Sequence, residues 1–176
     1  AVRAAELSLI AVGLSLTWGI VRFANVAHVQ YAPVAGYLTY FATISLGLGL
    51  VPAAILAITA TGLLGLGLQR WFFQRLASSG AASALIGTLA VSIVITAVIQ
   101  TVAGPRPRAL PIPLAAGITI GDAVITRTQI LIIGITAVTL PVFFAFLWFT
   151  RPGRAIRCVA VNPQLAEASG INTRRI

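Results

Sequence analysis

Side chains able to do acid–base, nucleophilic or metal chemistry are scarce in this sequence. Its 176 residues hold one histidine (His28), one cysteine (Cys158) and three acids, Glu6, Asp122 and Glu167. A zinc site gathers three or four nitrogen, sulfur or oxygen ligands, and these groups are too few and too scattered for one. No Gly-x-Ser-x-Gly elbow is present, and no serine stands where it would partner His28. Gly62-Leu63-Leu64-Gly65-Leu66-Gly67 matches neither a P-loop nor Gly-x-Gly-x-x-Gly. Inside an apolar run, those glycines serve close helix packing. The sequence therefore predicts no catalytic residue, no metal and no bound cofactor. Any nucleotide that drives the protein must sit on another chain.

Polar chemistry gathers in two other places. The first is Arg22-Phe23-Ala24-Asn25-Val26-Ala27-His28-Val29-Gln30, which holds a charge, two amides and the histidine. Polar side chains on a broken helix at membrane depth line substrate paths. The same groups in a headgroup layer would do nothing specific, and spacing leaves both readings of Asn25 and His28 open.

The second place is the tail. Thr150-Arg151-Pro152-Gly153 ends an apolar run. The segment from Arg154 to Ala160 then sets Arg154 and Arg157 on one helical face and Ile156, Val159 and Ala160 on the other. That pattern fits a short helix at a membrane surface, with its arginines toward lipid phosphates. Asn162-Pro163 supplies an N-cap followed by proline at the first helical position, and Gly170 supplies a C-terminal stop. A two-turn helix over 163–169 follows, small and weakly amphipathic. It is either a linker or a knob shaped for a partner's groove.

Lipid is the solvent these elements require. The chain is 59% hydrophobic and 9% charged, with mean hydropathy +1.00, against about 25% charged residues in soluble domains. A soluble enzyme and a disordered segment are both excluded. We expect an all-α polytopic transmembrane helix bundle with about five spans, near 7–20, 31–49, 51–68, 82–103 and 129–149. Of twelve arginines, eight fall at one set of span ends: Arg22, Arg70, Arg75, Arg151, Arg154, Arg157, Arg174 and Arg175. Arg3, Arg106, Arg108 and Arg127 fall at the other. The positive-inside rule puts the N-terminus outside and the C-terminus in the cytoplasm. The net charge of +9 is thus mainly a topology signal. No basic face interleaved with aromatic residues exists, so no nucleic acid is expected as a partner. In the outer loop, 104–127, prolines bar a helix. Within it, Gly121-Asp122 between two β-branched runs predicts a hairpin with a type II′ turn. The loop either closes the external face or docks an external partner.

With those motifs in place, the chain resembles permease subunits of branched-chain amino-acid ABC importers of the LivH type. In the tail, Thr150, Gly153, Ala155, Arg157, Ala160, Asn162, Pro163, Ala166, Gly170, Ile171 and Asn172 fall in register with that family's pattern. Gln164 and Leu165 stand where its Glu-Ala-Ala signature begins. At the front, Gly13 to Gly19, Asn25-Val26-Ala27-His28-Val29 and Ala35-Gly36-Tyr37 resemble family motifs, with Val26 and Val29 replacing the usual Phe and Gly.

The resemblance implies a permease domain over 1–150 and a cytoplasmic coupling loop over 151–176. Asn162, Pro163, Gln164, Leu165, Ala166 and Gly170 would dock on an ATP-binding cassette subunit, with Asn25 and His28 near the substrate path. It further implies a bacterial inner-membrane location, a second permease subunit and a periplasmic or extracellular solute-binding protein. ATP would be bound by the partner subunit. The substrate would be a branched-chain or other hydrophobic amino acid, with urea, amides or peptides as alternatives within the family. A secondary transporter would need an ionisable residue inside a span, and the five expected spans hold no Asp, Glu or Arg. A membrane scaffold subunit is the other alternative. The lack of Met and the short length lead us to expect a fragment lacking the family's C-terminal part.

Overall fold

A computed structural model describes residues 2–21, 23–77, 79–104, 108, 110, 118–120 and 123–171. Arg22, Arg106, Asp122, Asn172, Arg174 and Arg175 lie outside the described residues, as does the turn at 121–122. The chain divides into two compact units, Ala1–Val21 with Pro113–Ile176, and Arg22–Ile112.

The Arg22–Ile112 unit opens with a 3₁₀ turn, Val26–Gln30, which runs directly into helix α2, Tyr31–Ser45. Helix α3, Leu50–Leu68, continues through a π turn, Gln69–Phe73, into a last helical turn, α4, Gln74–Ala77. Pro52 sits in the first turn of α3, where no intrahelical donor is needed. Helix α5, Ala81–Ala103, completes the unit.

The other unit holds α1 (Val2–Val21), strands β1 (Ile118–Ile120) and β2 (Ala123–Ile125), and helices α6 (Arg127–Phe149), α7 (Arg151–Val161) and α8 (Pro163–Ala168). The strands pair antiparallel, Ile118 with Ile125 and Ile120 with Ala123, which leaves a two-residue connection. Helix α6 starts on a capping box. The Gln129 amide N–H donates to Thr126 Oγ1 at 3.3 Å, and the Thr126 N–H donates to Gln129 Oε1 at 3.1 Å.

Among the described residues, four helices are long and apolar enough to cross a bilayer: Val2–Val21, Leu50–Ala77, Ala81–Ala103 and Arg127–Phe149. The remaining expected span, near 31–49, falls on helix α2. Helix α2 has 15 residues, about 22 Å at 1.5 Å per residue, short of a hydrocarbon core of about 30 Å. Its start is taken by the 3₁₀ turn. Its end is set by Gly47, whose φ of +63° only glycine adopts readily.

Packing is inverted relative to a water-soluble protein. Val51 and Leu63 are 70% exposed, whereas Ala53 and Ala84 are fully covered. Small residues, Ala42 on α2, Ala53 and Ala57 on α3 and Ala84 on α5, occupy many of the buried positions. That is how helices associate in lipid, where apolar bulk gains nothing by turning inward. Several hydroxyls are satisfied within their own helices. Thr17, Thr39, Thr43, Thr59 and Thr101 each donate to a carbonyl three or four residues back.

Candidate functional site

In the Arg22–Ile112 unit, the 3₁₀ turn is fastened to α5 by a polar seam. The Val26 N–H donates to Thr88 Oγ1 at 3.3 Å. The Thr88 hydroxyl has the Leu85 carbonyl at 2.9 Å and the Ala24 carbonyl at 3.3 Å as acceptors for its one proton. One turn further, Gln30 Nε2 donates to Ser92 Oγ at 3.0 Å. Thr88 is fully buried and Ser92 nearly so. A 3₁₀ turn bonds i to i+3; here the His28 N–H reaches the Asn25 carbonyl at 3.1 Å.

Of the two predicted residues of this segment, His28 lies in that turn and Asn25 stands directly before it. Asn25 is buried, but its side chain does not cap the turn, and its Oδ1 is buried with no hydrogen-bond partner among the described residues. His28 is half-buried and meets Tyr31 edge to face, ring centroids 5.9 Å apart. Burial pushes its pKa below the ordinary histidine value of 6.5, because desolvation disfavours the imidazolium. Tyr31 in turn lies against Gly65 on α3, its ring 3.6 Å from where a β-carbon would stand. One turn before Gly65, Thr61 also buries an unpartnered Oγ1. Sequence reasoning missed Thr88, Ser92 and Thr61. The signal for the first two was present: 88, 92 and 96 carry hydroxyls at i, i+4 spacing on one face of α5.

In the other unit, Thr150 alone separates α6 from α7. Its hydroxyl donates to the Phe146 carbonyl at 2.7 Å and accepts the Gly153 N–H at 3.1 Å, ending one helix and capping the next. Arg151-Pro152-Gly153 therefore begins α7, with Pro152 in its first turn, instead of forming only a stop. Gly153 touches the backbone of Phe146 and Leu147 so closely that no β-carbon fits. Val159 is buried and Arg154 exposed, as the helical pattern predicts. Arg157 departs from it. Its guanidinium lies 4.2 Å from the Trp148 ring centroid, a cation–π contact, and its Nε is buried.

Helix α8 is fixed at both ends. Asn162 Oδ1 accepts the N–H groups of Gln164 and Leu165 at 3.0 and 3.2 Å, and Pro163 occupies the first helical position. At the other end, the Ile171 N–H reaches the Ala166 carbonyl at 3.0 Å and the Gly170 N–H reaches that of Glu167 at 2.9 Å. This is a Schellman motif, with Gly170 at φ +80°. Gln164 and Leu165 are exposed; Ala166 is buried, holding α8 to its own unit.

Among the described residues, no group of three or more His, Cys, Asp or Glu side chains is arranged to hold a metal ion. The family model described as "Branched-chain amino acid transport system / permease component" matches residues 1–176. The high-affinity branched-chain amino acid transport system permease protein BraD of Pseudomonas aeruginosa is 27% identical over 96% of this chain and 59% of its own length. The corresponding LivH proteins of Escherichia coli K12 and Salmonella typhimurium are each 28% identical over the same shares. The chain thus spans about three-fifths of the length of these curated relatives. No solved structure matches it. With four bilayer-length apolar helices among its described residues and a family match along its whole length, this multi-pass membrane protein belongs to the permease component family of branched-chain amino acid transport systems.

Proposed function

We propose that the chain forms part of the membrane path of an ABC importer for branched-chain or other hydrophobic amino acids, driven by a separate ATP-binding subunit. The observation that carries this reading is α8, a two-turn helix locked at both ends and joined to a membrane helix through α7 and the single residues Thr150 and Asn162. A short rigid element transmits displacement, whereas a frayed one absorbs it. Closure of an ATPase on α8 would thereby move α6 and switch access between the two sides. Gln164 and Leu165 are the docking side chains in this scheme. Asn162, Pro163, Ala166 and Gly170 hold the helix in shape.

In this reading the chain performs no chemistry itself and needs no cofactor. It lies in the bacterial inner membrane with its C-terminal segment cytoplasmic, as the arginine bias favours. It works with a second permease subunit and an extracytoplasmic solute-binding protein. The buried, unpartnered acceptors Asn25 Oδ1 and Thr61 Oγ1 support a path beside the 3₁₀ turn, where a solute's ammonium group would supply the missing donor.

The test is uptake of labelled leucine, isoleucine, urea, an amide and a dipeptide by the full transporter. Gly170→Pro and Ala166→Trp should abolish ATP-coupled uptake while the permease still inserts and assembles. Normal uptake in both variants refutes the coupling role. Uptake of urea, the amide or the dipeptide alone refutes the amino-acid assignment. Unchanged transport and selectivity in Asn25→Ala, His28→Ala removes those residues from the path.

A further inference from the structure

The Arg22–Ile112 unit carries an open apolar trough of about 640 Å³ between α2, α3, its π turn and α5. Leu38, Phe41, Leu68, Val94 and Val98 are among its walls, and every residue that lines it is apolar or aromatic. From Ala90 to Ala103 the trough follows α5 for about 20 Å. At its Ala103 end sits a cation. Arg108 Nε donates to the Ala103 carbonyl at 3.1 Å, Nη1 reaches Tyr40 Oη at 3.5 Å, and the guanidinium lies 5.8 Å from the Tyr40 ring centroid. A smaller hollow of about 230 Å³ adjoins this arginine, and Tyr37 belongs to the walls of both cavities.

We propose that this trough binds one anionic phospholipid of the bilayer, with an acyl chain along α5 and the phosphate on Arg108. The trough offers no polar partner, so a hydrogen-bonding solute gains nothing there, whereas a hydrocarbon chain does. Arg108 supplies the complementary charge where that chain must end. A guanidinium has five donors; Ala103 and Tyr40 orient it through two, and the side chain is otherwise exposed. The contact with the Ala103 carbonyl also fixes the cation at the negative end of the α5 dipole. Interfacial tyrosines beside an arginine are a usual setting for headgroups. This inference does not depend on what the protein transports.

The experiment is native mass spectrometry of the full permease complex released from nanodiscs of mixed phosphatidylglycerol and phosphatidylethanolamine. Phosphatidylglycerol should be retained in preference. Arg108→Gln should lower its retention at least fivefold and leave phosphatidylethanolamine unchanged, and Arg108→Lys should keep most of it. Because Arg108 is exposed, neither change disturbs packing. Ala90→Trp and Val94→Trp, which fill the trough from α5, should reduce retention of both lipids. Equal phosphatidylglycerol retention in wild type and Arg108→Gln overturns the proposal. Disulfide cross-linking of Ala90→Cys to a second copy or another subunit overturns it too, since the trough is then a protein interface.

Discussion

Replacing Gly153 by alanine tests whether the corner between α6 and α7 is as tight as it looks. A β-carbon there would stand 2.6 Å from Leu147 Cα and 2.8 Å from Leu147 O, with the Phe146 carbonyl closer still. All three atoms are backbone, so no side chain can swing away and the corner itself must open. Overpacking of this kind costs about 1–3 kcal/mol. Opening the corner also stretches the bond from the Gly153 N–H to Thr150, a cap worth about 1 kcal/mol. Against this, alanine gains about 1 kcal/mol over glycine inside a helix. The net expectation is destabilisation by about 2 kcal/mol, a fall in Tm of roughly 4–8 °C by the soluble-protein conversion.

Gly134→Ala is the matched control, because Gly134 lies in α6 with nothing within 4 Å of its would-be β-carbon. It should leave Tm unchanged or raise it. Thermal unfolding of both variants of the full permease in nanodiscs decides the matter. Wild-type Tm in Gly153→Ala, or a larger loss in Gly134→Ala, refutes the packing argument.

Thr88→Val keeps the shape of the seam but removes the acceptor of the Val26 N–H. It should destabilise by about 1–3 kcal/mol in the same unfolding assay, and Thr88→Ser should restore most of the loss. His28 gives a pH signature. Its pKa is depressed by burial, so below about pH 6.5 the unfolded chain takes up a proton that the folded chain refuses. Stability should therefore be full above that pH and decline on acidification, and His28→Gln should flatten that decline. An unchanged acid slope in the variant would rule out this histidine as its source.

The long helices were legible because an apolar run of bilayer length has few other fates in lipid. The expected boundaries at Ala103 and Phe149 coincide with helix ends, whereas the helix expected to stop at Leu68 runs on through the π turn to Ala77. Asn162, Pro163 and Gly170 were legible for another reason: caps are local, and their geometry follows from residue type alone. Helix α2 was overread because Leu46 to Gly49 is as apolar as the helix before it, and only the backbone of Gly47 reveals the stop. Arg157 was misplaced because helical periodicity assigns a face but not the reach of a long side chain. Trp148, on the preceding helix, captures it. The seam was invisible to a linear reading, since Thr88 meets Ala24 and Val26 across more than sixty residues.

The π turn at Gln69–Phe73 has a consequence for phase. Measured from Thr61 at 100° per residue, a uniform helix would put Phe72 within roughly 20° of the buried stripe and Phe73 roughly 120° away from it. The reverse is found: Phe73 is almost wholly buried and Phe72 is 38% exposed. The wider turn acts as a one-residue insertion absorbed without breaking the helix. Leu50–Ala77 is therefore two helical registers in a single rod, and its buried and exposed stripes cannot be traced from one end to the other with one wheel.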